Sequence, residues 1–248
     1  QWSNPHNAQL GEFSEVRPAK KSDAAAMNRL LDCARLTHYH VDWRRPVDWL
    51  GETGFVMIAD GNEANNPARM ARLVLPREEM LACLAVTADP LPAAWVRLTA
   101  VSAQLDPHFA LSEMFAVARE NLRETAVTEI GWLVLDSWPI SILPGLGFEQ
   151  VNVIETYVKD NLDLPEMKAV PELWIRPAMK SDFEGLVALE TAVFEPLWRF
   201  SKETFKIASR DAASFDVAFL GDRLVGYQIS TGGRYSAHLV RLTIAPDL

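Results

Sequence analysis

The sequence predicts an α/β protein with a mixed, mostly antiparallel sheet flanked by helices, built as a tandem duplication. Three observations carry this. Val16-Arg17-Pro18-Ala19-Lys20-Lys21-Ser22-Asp23 returns as Ile175-Arg176-Pro177-Ala178-Met179-Lys180-Ser181-Asp182, with six identical positions. Val96-Arg97-Leu98-Thr99 returns, in the same order, as Val240-Arg241-Leu242-Thr243. Between these landmarks the apolar pattern switches repeatedly between helical spacing and short apolar runs bounded by turn residues.

Composition sets the frame. With 248 residues, 49% apolar and 23% charged, the chain can build an ordinary core. A net charge of −9 argues against nucleic acid as the main partner, because a phosphate backbone demands a basic footprint. No apolar run reaches the roughly 18 residues of a membrane span. The N-terminus, Gln1-Trp2-Ser3-Asn4-Pro5-His6, lacks the basic and apolar regions of a signal peptide, and starting without Met it reads as trimmed. Cys33 and Cys83 make neither a disulfide framework nor a zinc site, so a reducing cytoplasm is expected and no metal.

The elements follow in order. Glu15–Arg17 is a short strand, after which Ser22 or Asp23 caps a helix carrying Met27, Leu30, Leu31 and Ala34 on one face. His38-Tyr39-His40 with Asp42 reads as a solvated helix end, since ligands at i and i+2 do not share a helix face. Phe55–Ala59, Leu81–Thr87 and Trp95–Val101 are strands. Gly61–Glu79 is polar and irregular, and reads as a surface loop inserted where the second copy has only the Gly221-Asp222 turn. Asp106-Pro107 opens a helix whose Leu111, Met114, Phe115, Ala118 and Leu122 fall at helical spacing. Ile130–Leu135 and Val151–Val158 read as strands, separated by a short proline-broken helix at Ser137–Leu143. In the second copy Ser181-Asp182-Phe183-Glu184 fits a capping box before Leu186, Leu189 and Val193. Ser201 starts another helix, Phe215–Leu220 and Leu224–Ser230 form a hairpin, and Ala237–Ile244 is the last strand. The expected organisation is a complete but degenerate domain at 14–160, a Pro- and charge-marked linker at 161–171, and the N-terminal half of a second domain at 172–248.

The second copy resembles the GNAT superfamily of acyl-CoA-dependent N-acyltransferases. The resemblance rests on Ile175-Arg176-Pro177-Ala178 with Ser181-Asp182 for the first strand and helix. Gly221-Asp222-Arg223-Leu224-Val225-Gly226 is similar to the hairpin of strands two and three, and Leu239–Pro246 to strand four running into the pyrophosphate loop. In the first copy Gly145-Leu146-Gly147-Phe148-Glu149 is similar to the family's ending before its last strands.

That resemblance implies a function. Strand four of the family splays from strand five and pairs its backbone with the pantetheine arm of acetyl-CoA, a role that would fall to Leu242, Thr243 and Ile244. A glycine loop and helix N-terminus then hold the pyrophosphate. The second copy reaches Asp247-Leu248 before any such loop, so weak or absent acetyl-CoA binding is expected of these residues alone. The first copy reads Ser102-Ala103-Gln104-Leu105-Asp106 there, without glycine and with a negative charge, and has Leu143 where many members carry a tyrosine acid. The implied activity is transfer of an acetyl group to a primary amine of a small molecule or peptide. The alternative is a non-catalytic binding or scaffold protein built from degenerate units. No catalytic residue is assigned.

Other residues have two readings. Trp43-Arg44-Arg45-Pro46-Val47-Asp48-Trp49 and its counterpart Phe194–Phe200 either line an acceptor groove or anchor packing. Tyr227, Tyr235 and His238 flank the cleft, and His238 reads as a general base or as an incidental edge histidine. The apolar face of Leu239, Leu242 and Ile244 is expected to be buried against the first copy, with a homodimer or further chain as the alternatives.

Overall fold

The structure, a computed structural model, describes residues 14–60, 79–161, 163, 164, 166, 168 and 170–248. Residues 61–78 of the expected insertion lie outside the described residues. Contacts divide the chain into one unit of residues 1–146 with 196–199, and a second of residues 147–195 with 200–248. Among the described residues no helix is long and apolar enough to cross a membrane.

The first unit has strands β1 (Ser14–Pro18), β2 (Leu36–Tyr39), β3 (Phe55–Asp60), β4 (Glu79–Thr87), β5 (Ala93–Val101) and β6 (Glu129–Gly131). Its sheet runs β1-β3-β4-β5-β2, with β6 also pairing β5. Every pair is antiparallel except β5 with β6. Helix α1 (Ala24–Cys33) packs on β4 and β5, and α2 (Pro107–Leu122) on β1, β3 and β4. Helices on both faces explain why β3, β4 and β5 are apolar almost throughout instead of alternating. Met27 and Leu30 of α1 meet Phe55, Met57, Leu98 and Ala100 on one face. Asp106 caps α2 as the Asp-Pro pair implies, its carboxylate accepting the Phe109 N–H at 2.9 Å.

The second unit has β7 (Leu173–Pro177), α3 (Phe183–Val193), α4 (Lys202–Asp211), β8 (Ser214–Leu220), β9 (Arg223–Gly232) and β10 (Ala237–Ile244). Its four strands form an antiparallel meander in the order β10-β9-β8-β7. This repeats the β1-β3-β4-β5 part of the first sheet. A single 3-10 turn bearing buried Trp49 stands in the first unit where α4 with buried Phe205 stands in the second.

The repeated octapeptide has a physical reason. Arg17 Nη1 and Nη2 donate to the Asp23 carboxylate at 2.8 and 3.0 Å, and Lys20 N–H donates to it at 2.7 Å. Arg176, Asp182 and Met179 repeat this at 2.6, 2.7 and 2.7 Å. The Asp therefore ties the strand to the turn that starts the helix. It is Asp182, and not Ser181 with Glu184, that organises the start of α3; no side-chain cap is made at that helix.

Other expectations are corrected. His38 and Tyr39 lie on strand β2, not at a helix end: α1 stops at Cys33 and the chain turns into the sheet. Val151–Val158 forms no strand and its residues are exposed. The strand expected at Ile130–Leu135 is only Glu129–Gly131. Ser137–Leu143 is turns followed by a 3-10 turn at Leu143–Leu146, because Pro139 and Pro144 break the helical ladder.

The two tetrapeptides are out of step by one residue. Arg17 aligns across the strands with Met57, Cys83 and Ala100. Arg176 aligns with Val217, Tyr227 and Thr243. Thr243 is thus level with Ala100, not with Thr99. Each unit has one extra residue at the same rung, Arg97 between Val96 and Leu98 and Val240 between Leu239 and Arg241. A one-residue slip exchanges the sheet faces, so the identical letters face opposite ways.

Candidate functional site

The level rungs make the two units comparable at the strand that matters. In β10 the Ala245 N–H donates to Val225 O at 2.7 Å, so Ala245 faces β9. Alternation turns Thr243 the same way and sends the backbone groups of Leu242 and Ile244 to the opposite edge. Among the described residues no strand pairs that edge. Strands β9 and β10 approach closely at Gly226, where a Cβ would lie 2.8 Å from Thr243 O. Of the three residues expected to meet the donor, Leu242 and Ile244 present edge groups, and Thr243 pairs inward with Tyr227.

The side chains of these residues divide between two faces. Leu239, Leu242 and Ile244 are 52, 60 and 58% exposed, whereas Val96, Thr99 and Val101 on the same rungs of the first unit are 0, 0 and 1% exposed. The cover expected for this apolar face is not found among the described residues. Thr243 and Arg241 point to the helical face.

There a buried polar network holds the segment that follows α3. Glu190 is fully buried and accepts the Tyr227 hydroxyl on Oε1 at 2.5 Å and the Phe200 N–H on Oε2 at 2.6 Å. Arg241 Nη2 stands 3.7 Å from Oε2, and its guanidinium lies 4.3 Å over the Phe194 ring and 4.0 Å over the Phe200 ring. Burial raises the Glu190 carboxyl above its ordinary range, against the pull of Arg241 and the two donors. Burial and the adjacent Glu190 carboxylate also raise the Tyr227 hydroxyl. With both oxygens engaged, Glu190 positions the Phe194–Phe200 segment; it does not offer a free base. This network was not foreseen, although Glu190 in an apolar helix stripe was its sequence signal. Residues 196–199 count with the first unit, where the Trp95 indole donates to Leu197 O at 2.6 Å. His238 and Tyr235 are exposed.

The first unit differs at the same edge. Ser102 N–H donates to Leu81 O at 2.8 Å, so alternation turns Thr99 and Val101 outward, as Leu242 and Ile244 are turned. There they meet β2: Val101 is paired with Leu36, Ala100 with Thr37, Thr99 with His38 and Leu98 with Tyr39. His38 is 1% exposed with Nε2 3.1 Å from Val96 O, and its burial lowers its pKa. Burial, with Arg97 adding to it, brings the His40 pKa down to about 3. Arg97 pairs with Asp42 at 2.9 Å and, with Arg44, lies over the Trp49 ring. The Trp43–Trp49 stretch is therefore a packing anchor. Among the described residues no His, Cys, Asp and Glu group could hold a metal ion.

No protein-family profile and no curated protein matches this sequence. Solved structures do match its fold. A GCN5-related N-acetyltransferase from Sphaerobacter thermophilus is similar over 96% of this chain and 78% of that one, with a TM-score of 0.54 at 12% identity. One from Kribbella flavida is similar over 94% of this chain, with a TM-score of 0.58 at 11% identity. A tandem GNAT protein from the clavulanic acid biosynthesis pathway is similar over 95% of this chain and 80% of that one, with a TM-score of 0.51 at 15% identity. The fold is that of the GCN5-related N-acetyltransferases. This acetyltransferase fold, duplicated, is what the paired meanders and their shared bulge build. The chain spans 58% of the Kribbella protein's length.

Proposed function

We propose that this chain serves acyl transfer from acetyl-CoA to a primary amine of a small molecule or peptide, and that the outer edge of β10 receives the donor. The observation that carries this reading is the outward-facing backbone of Leu242 and Ile244, beside which no described strand lies. An extended arm containing amide groups has the donors and acceptors that such an edge lacks. The residues present fit the pantetheine arm; a glycine-rich loop for the pyrophosphate is not among them, so the proposal concerns the arm.

Acetyl-CoA supplies the thioester. The nitrogen of the neutral amine forms a bond to the carbonyl carbon, the C–S bond breaks, and the departing sulfur takes up the proton that the nitrogen loses, giving amide and free thiol. This chain's residues contribute by orientation. The β10 edge fixes the arm, and the Glu190–Phe200 hydrogen bond fixes the segment that borders the helical face. Backbone N–H groups at the edge are suited to an oxyanion.

The test is nuclear magnetic resonance of the full chain with coenzyme A at millimolar concentration. The reading expects the Leu242 and Ile244 amides to shift. Shifts scattered elsewhere, or none, would refute it.

A further inference from the structure

We infer that β2 is a built-in occupant of the first unit's donor edge, which closes that unit to acyl-CoA, unlike the edge of β10, which no described strand fills. The inference rests on the reading of the β10 edge given above.

Strand β4 takes one edge of β5 along Trp95–Val101 and two neighbours share the other. Strand β6 runs parallel at Ala93–Trp95, and β2 runs antiparallel at Leu98–Val101. The second half of that edge is where β6 no longer follows β5. In the second unit the level outward residues Leu242 and Ile244 have this edge free of any described strand. The two units therefore contain the same strand, with the same bulge, in two conditions. One has its outward groups met by a strand of its own chain, and the other has them free of any described strand.

Side chains fasten β2 in place. The Trp138 indole donates to Thr37 O at 3.0 Å, and His40 N–H donates to Arg97 O at 2.9 Å, extending the ladder past Tyr39. The His38 ring lies 5.2 Å from Trp132, itself 6.4 Å from Trp138. The ion pair of Arg97 with Asp42 holds the exit of the strand. A ligand arm would have to break all of these at once for the same backbone bonds. The second unit sends the corresponding stretch elsewhere. After α3, Phe200 N–H goes to Glu190 and the Phe194 and Phe200 rings go to Arg241. Arg241 stands on the rung of Leu98, so the half-buried cation that draws this segment to the helical face is what the first unit lacks there.

Site-resolved amide exchange on the full chain, with and without millimolar coenzyme A, tests this. Slow exchange at Thr99, Val101, Leu36 and His38, unchanged by coenzyme A, is the expected result. Trp138→Phe removes one hydrogen bond from the fastening and should speed exchange at Leu36 and His38 by about fivefold. Slowing at Thr99 and Val101, or faster exchange at Leu36 and His38, on adding coenzyme A to the unmodified chain would overturn the inference. Fast exchange of Leu36 and His38 in the free protein would overturn it as well. Failure of the wider reading is separate: Leu242 and Ile244 would not respond to coenzyme A while the Leu36 and His38 amides stayed slow.

Discussion

Arg176 grips Asp182 through two hydrogen bonds of 2.6 and 2.7 Å, and the same carboxylate accepts the Met179 N–H. These bonds hold the Asp182 carboxyl below its ordinary 3.8. A depressed carboxyl contributes stability that is present above its unfolded pKa and lost as pH falls through the folded one. Asp182→Asn should therefore flatten the acid side of the stability profile below about pH 4, and Asp182→Ala should cost about 1–3 kcal/mol through the broken charged hydrogen bonds. Urea unfolding at several pH values measures both.

Glu190 works in the opposite sense. Burial lifts its carboxyl above the ordinary 4.5, so the folded chain binds this proton more tightly than the unfolded chain. Its contribution is fully present below the unfolded pKa and is lost as pH rises through the folded one. Glu190→Gln should lessen that loss. Glu190→Ala leaves the Tyr227 hydroxyl and the Phe200 N–H without their acceptor, takes the carboxylate from beside Arg241, and should cost about 3–5 kcal/mol. Paired denaturation curves at pH 5 and pH 8 read the difference.

The first unit should be acid-sensitive through His40. Its folded pKa of about 3 lies below the ordinary 6.5, so the unfolded chain takes up a proton that the folded chain refuses. Stability falls as pH drops from 6.5 toward 3, and His40→Gln should be less sensitive across that window. The pH dependence of the first unit's thermal unfolding, followed in both proteins, checks it.

Gly54 has no room for a side chain. A Cβ there would lie 1.9 Å from Val86 O, whereas one at Gly145 would meet nothing within 4 Å. Gly54→Ala should destabilise by more than about 2 kcal/mol, and Gly145→Ala by less than about 0.5 kcal/mol. Chemical denaturation of the two variants compares them.

Much of the fold was legible because its signals are local. The Asp106-Pro107 start of α2 and the apolar runs of β3, β4 and β5 need no distant partner to be read. The octapeptide was legible because its Arg and Asp must be six residues apart to meet. What failed was nonlocal. Leu36–Tyr39 is a strand because β5 has an edge to fill, and nothing in four residues announces that. Val151–Val158 has strand-forming residues but, among the described residues, no partner strand. The tetrapeptides misled because identity of letters says nothing of a bulge, and one extra residue changes which face a side chain takes. Of the candidate site, the strand was found and the buried Glu190–Tyr227–Arg241 network was not, since its members come from three elements far apart in sequence.

One strand occurs twice, closed by β2 in the first unit and, among the described residues, open in the second. Amide exchange of four residues in the ligand-free chain tests it most directly. Thr99 and Val101 should exchange at least a hundredfold more slowly than Leu242 and Ile244, about the span between core and frayed amides. Equal rates across the two pairs, or slower exchange at Leu242 and Ile244, would contradict it.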